Sequence, residues 1–294
     1  MLSLCYNSVP AILEALSFFR VENLKIHPTE FEHIIRAYIS NEIVVAEKCP
    51  QEGMQKKTRK SFSWGHDHDF GSFKLSGRMG TRHVWMLSRF FDHFGLDRAS
   101  LAGKHVLDVG CWTGGVSLVL QQLGAHVWAI DAIRRFIDAL DFMIKSFGLQ
   151  RLNARHISLY KIHEHFEPDH FDIIFCLGVI YHLSDPVVAL RRLYNALKPG
   201  GLLCIESMSI ANSDPLWEYE GPSRLGGNWL VPSPKALAQL LEDTGFEVLG
   251  VGNGLVPFQV TQKGDPMGPD RCFAMGKKIP GHTFFWAGLS IEID

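Results

Sequence analysis

The chain has 294 residues, 46% hydrophobic and 20% charged. That excludes a disordered or coiled-coil polypeptide and suits one large or two smaller globular units of about 150 residues each. Its 29 basic and 31 acidic residues sum to −2, so the body is no polycation, although a local basic patch for nucleic acid stays open. No run of about 18 apolar residues is present, and no membrane-spanning helix is expected.

The N-terminus lacks a basic region, and Glu14 interrupts its longest apolar stretch, so a signal peptide is not expected. The six cysteines (Cys5, Cys49, Cys111, Cys176, Cys204, Cys272) contain no C-x-x-C pair. Cys176 and Cys204 lie in apolar runs where cysteine acts as a small hydrophobe. A reducing, cytoplasmic setting is the expectation.

The first 48 residues read as helical. Ser8 and Pro10 open one helix with Ile12, Leu13, Leu16 and Phe19 on one side. Thr29 and Glu32 form a capping box for a second, with Phe31, Ile34, Ile35 and Tyr38 inward. Residues 49–61, with Lys56, Lys57, Arg59 and Lys60, read as a basic linker, so residues 1–60 form an N-terminal helical extension. The stretch SFSWGHDHDFGSFKLSG follows, then an amphipathic helix over Val84–Phe94.

From Gly103 strands and helices alternate: KHVLDVG, a helix ending at Gly124, HVWAID, a helix over Arg134–Phe147, ARHISLY, FDIIFCLGV, a helix over Pro186–Leu197, GLLCIES after a Pro199-Gly200-Gly201 turn, a helix over Pro234–Thr244, then FEVLGVG and RCFAMGK. This order predicts an α/β fold, a doubly wound, mostly parallel sheet covered on both faces.

In such a sheet ligands bind beyond the carboxyl ends of the strands. DVGCWTGG occupies the first such end. A dinucleotide loop needs G-x-G-x-x-G, but Trp112 stands at the second glycine, which argues against a pyrophosphate cofactor. Asp108, Gly110 and Gly114 suit a ligand with an ammonium group, and Asp131, closing the next strand, suits a ribose diol.

LDVGCWTGG, ISLYKI, FDIIFCLGVIYHLSDPVVALRRL, LLCIES, YEGPSRLGGNWLVPSPKAL and the upstream Trp64-x-His66-x-x-Asp69-x-Gly71 resemble the class I S-adenosylmethionine-dependent methyltransferases. Within them the chain is similar to the branch of the tRNA wobble-uridine carboxymethyltransferase and its small-molecule relatives. The resemblance implies a seven-stranded Rossmann-like sheet over residues 61–294, with 207–233 as a substrate-side insertion. It implies S-adenosyl-L-methionine as cofactor, with Asp108, Gly110 and Gly114 at its methionine part, Asp131 at the ribose, and Cys111 and Ala132 among the further cofactor-binding residues. Ser158 and Leu159 would lie by the adenine, Gly178 beneath the sulfonium, and Tyr181 and His182 toward the substrate. His156 stands where relatives often carry an acid. The carboxymethyl branch grips an extra carboxylate with a lysine, a tyrosine and an arginine; Tyr181 and Arg271 match the last two, while Phe70 stands at the lysine position, which favours the ordinary cofactor.

Methyl transfer requires positioning first and a base second. His182, His66 and Glu206 are the candidate catalytic groups, and His182 has an ordinary pKa suited to neutral pH. Trp64, Asp69, His83, Tyr219, Trp229 and Arg271 are candidate substrate contacts. His66 and His68 would share one strand face, but two histidines are too few for a closed metal site, and no metal is expected. A small-molecule acceptor leads, with a homodimer plausible. A tRNA modifier and a non-catalytic, cofactor-binding scaffold remain the alternatives.

Overall fold

The computed structural model describes residues 7–40, 42–48, 55–61, 64–221, 227–253 and 271–282. Cys5, Cys49 and the side chains of Lys56, Lys57, Arg59 and Lys60 lie outside the described set. The elements run α1 (Val9–Ser17), α2 (Pro28–Ser40), β1 (Glu42–Lys48), β2 (Gln55–Ser61), β3 (His68–Asp69), β4 (Lys74–Leu75), α3 (Arg82–Phe94), α4 (Arg98–Leu101), β5 (His105–Val109), α5 (Gly115–Gln122), β6 (His126–Asp131), α6 (Arg134–Phe147), β7 (Leu152–His156), β8 (Phe171–Leu177), α7 (Pro186–Ala196), β9 (Leu197–Met208), β10 (Trp217–Tyr219), β11 (Leu230–Pro232), α8 (Pro234–Asp243), β12 (Phe246–Asn253) and β13 (Arg271–Lys278).

Seven strands form one sheet in the order β12-β13-β9-β8-β5-β6-β7. β7, β6, β5, β8 and β9 are mutually parallel, and β13 runs antiparallel to both β9 and β12. The chain winds outward in one direction from β5 through β6 and in the other from β8, so the switch point lies between β5 and β8. The carboxyl ends of these strands bring Asp108, Asp131, Gly178 and Glu206 to one rim of the sheet.

Two differences from the sequence reading concern residues 42–61 and 197–201. Glu42–Lys48 pairs antiparallel with Gln55–Ser61 as a hairpin, replacing the end of the helical region and half of the linker; Ile43, Val44 and Val45 are β-branched and favour extended backbone. The turn before GLLCIES is absorbed into β9 as a bulge, because Phe171 pairs with Leu197 but Ile173 pairs with Leu202. Gly201 is required there, since a Cβ would lie 2.8 Å from the Lys198 carbonyl oxygen.

Each face of the sheet carries an apolar core. One joins α1, α2, α3, α5 and α6; the other joins α7 and α8. Phe31 of α2 is fully buried and stacks on Phe142, with edge contacts to Phe70 and Phe147, so the core continues across residue 60. On α1, Ile12, Ala15 and Phe19 are the buried stripe, while Leu13, expected inward, is 49% exposed. The capping of α1 also differs, for Ser8 makes no side-chain cap bond.

Candidate active site

The loop after β5 is held by backbone and acid together. Gly110 and Cys111 donate to the Ile130 carbonyl at 2.8 and 3.0 Å. Gly114 has φ +87°, and a Cβ there would strike Leu140. Trp112 adopts φ 51°, a left-handed conformation that costs a non-glycine residue roughly 1–2 kcal/mol. Its N–H donates to Asp131 Oδ2 at 3.1 Å, while Ile133 N–H donates to Asp131 Oδ1 at 2.8 Å. Asp131 thus ties the loop to the end of β6, and burial, partly offset by these donors, raises its pKa. Ile133 beside it is 50% exposed. His156 bonds the Ala132 carbonyl through Nε2 at 2.9 Å; Ser158 precedes the 3-10 turn Leu159–Glu164 on the same rim.

Asp108 is 2% exposed. Ser117 Oγ donates to its Oδ2 at 2.5 Å. Burial, with a smaller push from Asp131, raises its pKa to about 7 despite the Ser117 bond.

Across β8 lies an ionic cluster. Arg271 of β13 grips Glu206 of β9 with two donors, Nε on Oε1 and Nη2 on Oε2, the latter at 2.7 Å. Arg82 Nη2 donates to the same Oε1 at 3.2 Å. Burial opposes ionisation of Glu206, but the two guanidinium groups outweigh it and lower its pKa. The Arg271 guanidinium lies over the Tyr181 ring at 5.1 Å. Gly178, φ +73°, leaves open the space between Tyr181 Oη at 3.6 Å and Arg271 Nη2 and Glu206 Oε2, both at 3.8 Å, measured from where a Cβ would sit.

Residues 64–80 strap this floor to the glycine loop. Gly65 N–H donates to Thr113 Oγ1 at 3.0 Å, and a Cβ on Gly115 would lie 2.6 Å from His66 Nδ1. His66 contacts His83 at 4.4 Å between ring centres and Trp112 at 5.9 Å. Trp64, 1% exposed, donates Nε1–H to His68 Nδ1 at 3.0 Å. Burial lowers the pKa of His66 to about 3 and of His68 to about 4, and takes His83 well below its ordinary value. Among the described residues no group of three or more His, Cys, Asp or Glu is arranged to hold a metal ion.

The insertion after β9 folds back on the loop after β8. Trp229 N–H donates to the Tyr181 carbonyl at 2.7 Å, and His182 Nδ1 lies 3.3 Å from the Gly227 carbonyl oxygen. Burial lowers the pKa of His182, and the Gly227 bond opposes that. Tyr219, on β10, is 62% exposed with its ring 6.5 Å from Trp229. Asp69 stands apart: it pairs with Lys74 at 3.0 Å and accepts the Gly71 N–H at 2.9 Å on the β3–β4 hairpin.

Phe70 does not face the ionic cluster; it packs on Phe31, Phe73 and Phe147. The second cation of the cluster is Arg82, which the sequence reading missed. Its signal was a charge on the apolar side of α3, four residues before buried Met86 and eight before Phe90.

A methyltransferase-domain family model matches residues 87–251. The chain is similar to a tRNA U34 carboxymethyltransferase of Idiomarina loihiensis, 31% identical over 58% of this chain and 52% of that protein. It is similar also to a ubiquinone biosynthesis O-methyltransferase of Pseudomonas putida, 37% identical over 36% of this chain and 44% of that one. The chain spans about half the length of the curated relatives it matches. In fold it resembles the Burkholderia thailandensis 1,6-didemethyltoxoflavin-N1-methyltransferase, solved with S-adenosylhomocysteine, with TM-score 0.52 and 17% identity over 66% of this chain and 76% of that one. No described helix is long and apolar enough to cross a membrane. With its sheet order and family match together, the chain belongs to the class I S-adenosylmethionine-dependent methyltransferases.

Proposed function

We propose that the chain moves a methyl group from S-adenosylmethionine to an oxygen or nitrogen of a small molecule, with residues 61–294 as the transferase unit and 1–60 as its N-terminal cover. The observation that carries this is Asp131. An ionised carboxylate has about four acceptor positions; two take the Trp112 and Ile133 N–H groups, and the remaining two suit a ribose diol. Asp108 offers a buried acid to an ammonium, and Gly110, Cys111 and Gly114 offer a loop without side-chain bulk at the glycines. Ala132, Ser158 and Leu159 lie on the adenine side, and Gly178 opens toward Tyr181. These groups fit the cofactor.

When bound, the cofactor supplies a methyl group already activated by a sulfonium. The chain's own work is positioning, which can remove about 7–11 kcal/mol of barrier. Where the acceptor carries a proton, His182 is the base: its ring is neutral at pH 7, and an Nδ1–H···O=C bond to Gly227 leaves Nε2 free to accept. His66 and His83 are too weakly basic once buried. Glu206, held ionised by two arginines, orients Arg271. Trp229 and Tyr219 form the acceptor wall, and the insertion hydrogen-bonded to Tyr181 narrows the opening toward small acceptors.

Calorimetry with S-adenosylhomocysteine tests the reading. Binding to the intact chain is expected, and Asp131→Ala should weaken it about 100-fold or more, since each hydrogen bond to a charged group contributes about 1.5–3 kcal/mol. Unchanged affinity would refute the ribose assignment. The tRNA reading draws on the name of the Idiomarina relative and on the four cations of Gln55–Ser61. It requires a salt-sensitive tRNA gel shift; no shift at low salt removes it.

A further inference from the structure

Trp112 places a bulky side chain where the backbone of the glycine loop favours glycine. Among the described non-glycine residues, Trp112 and Asp169 alone have φ in the left-handed region, 51° and 56°. Aspartate tolerates that region, but for a bulky side chain it is an outlier. Gly114 N–H closes a turn on the Cys111 carbonyl at 2.8 Å. Trp112 is the second residue of that turn, a place that glycine fills without strain. Strain of this kind persists where the surroundings over-determine it, and it gathers at ligand clamps.

Two sets of contacts hold Trp112. Its N–H donates to Asp131 Oδ2 at 3.1 Å, from across the loop, while Ile133 N–H holds Oδ1 from two residues along the chain. Its indole is gripped from outside the loop. Gly65 of the strap lies against it, for a Cβ there would sit 3.0 Å from both Cγ and Cδ2 of Trp112. Gly65 N–H donates to Thr113 Oγ1 at 3.0 Å beside it. The rings of His66 and Phe136 each stand 5.9 Å from the indole, centre to centre. Glycine at 112 would populate both signs of φ about equally. The N–H would then leave Oδ2 for part of the time, and the carboxylate would turn with it. Resting on the methyltransferase reading above, we infer that Trp112 is a positioning residue: its clamped indole holds the strained turn, and the turn holds Asp131 with its two remaining acceptor positions toward the ribose hydroxyls. The strap over residues 64–80 thereby acts on the cofactor's sugar through one side chain that touches no reacting atom.

The test is calorimetry on the full chain with S-adenosylhomocysteine and its 2′-deoxy analogue. The wild type should prefer the full ribose about 10-fold or more, as expected for one hydrogen bond to a charged group. Trp112→Gly keeps the N–H and relieves the strain, yet it should shrink that preference to about threefold or less, chiefly by weakening the ribose ligand. Trp112→Phe keeps a ring against Gly65 and should retain the preference. Gly65→Ala pushes on the indole from the strap and should act like Trp112→Gly. A cooperative urea transition identifies the variants that fold, and Trp112→Asn, which also tolerates the left-handed turn, stands in where glycine does not. An indole that stacked directly on the nucleoside, or served stability alone, would move both ligands by one factor, because neither effect reads the hydroxyl. That result, or an unchanged preference in Trp112→Gly, overturns the inference. A wild type that binds both ligands equally sinks the ribose assignment to Asp131 and the inference with it, and one that binds neither sinks the methyltransferase reading.

Discussion

Replacing Asp108 with asparagine should stabilise the ligand-free protein above pH 7 while crippling cofactor binding. Asp108 is buried, and its pKa moves from an ordinary 3.8 to about 7. The folded state therefore binds this proton more tightly than the unfolded chain. Between pH 3.8 and 7 the unfolded chain has lost the proton and the folded one keeps it, so stability falls as pH rises through that window. Above pH 7 the whole penalty is present, and at 1.36 kcal/mol per decade it reaches about 4 kcal/mol. Asparagine never ionises and escapes the penalty, at the cost of part of the Ser117 bond, about 1 kcal/mol. Urea unfolding of both proteins at pH 5 and pH 8 measures this. The variant should gain roughly 2–4 kcal/mol on the wild type between the two pH values. Ligand binding should show the mirror image: an ammonium beside Asp108 favours the ionised acid, so S-adenosylhomocysteine affinity in the wild type should drop about tenfold per unit below pH 7 and be nearly flat in the variant. A wild-type affinity independent of pH from 5.5 to 8, together with parallel stability curves, would refute the assignment of a proton to buried Asp108.

Phe31→Ala removes a fully buried ring shared with Phe70, Phe142 and Phe147, and should cost about 3–5 kcal/mol in denaturant unfolding; a loss under 1 kcal/mol would mean that α2 docks only loosely on the sheet. His182→Ala removes the ring bonded to Gly227. Hydrogen exchange at the Trp229 amide, which the same docked segment protects, should quicken about 3- to 10-fold for a bond contributing roughly 0.5–1.5 kcal/mol, and an unaltered rate would show that the insertion holds without this contact.

The parallel sheet was legible because its strands are short contiguous apolar runs between glycines and prolines. HVLDV, FDIIFCL and the latter half of β9 are buried from both faces, so they need no polar alternation. The glycine loop was legible for a steric reason: Gly110 and Gly114 sit where side chains would collide with Val179 and Leu140. The ionic floor was not. Arg82 and Glu206 are 124 residues apart, and no local period links a helix start to a strand end on the far side of the switch point. Phe70 misled for a related reason. Its place in the sequence pointed toward the site, but the neighbouring aromatic rings of α2 and α6 bury it more favourably. The hairpin over 42–61 was missed because a charged strand, Gln55–Ser61, carries no apolar stripe to announce its pairing.

Two kinds of buried group pull the pH dependence of folding in opposite directions. His66, His68 and His83 are held neutral by burial, to about 3 and about 4 for the first two and well below 6.5 for the third. Their folded-state pKa values lie below the unfolded value, so each costs stability as pH falls below 6.5, where the unfolded chain takes up protons that the folded one refuses. Asp108 acts the other way over the same range and returns one proton's worth. His66 and His68 against Asp108 leave a net of one proton, or about 1.4 kcal/mol lost per pH unit between roughly 6 and 4, and His83 adds to the loss in the same direction. About 3 kcal/mol is then lost between pH 6 and 4 before His83 is counted, a large part of an ordinary folding stability of about 5–15 kcal/mol, and replacing all three histidines with apolar residues of similar size should flatten or reverse the slope. A wild-type stability that stays level from pH 6.5 to 4.5 would mean that these imidazoles reach water or take up protons inside the fold.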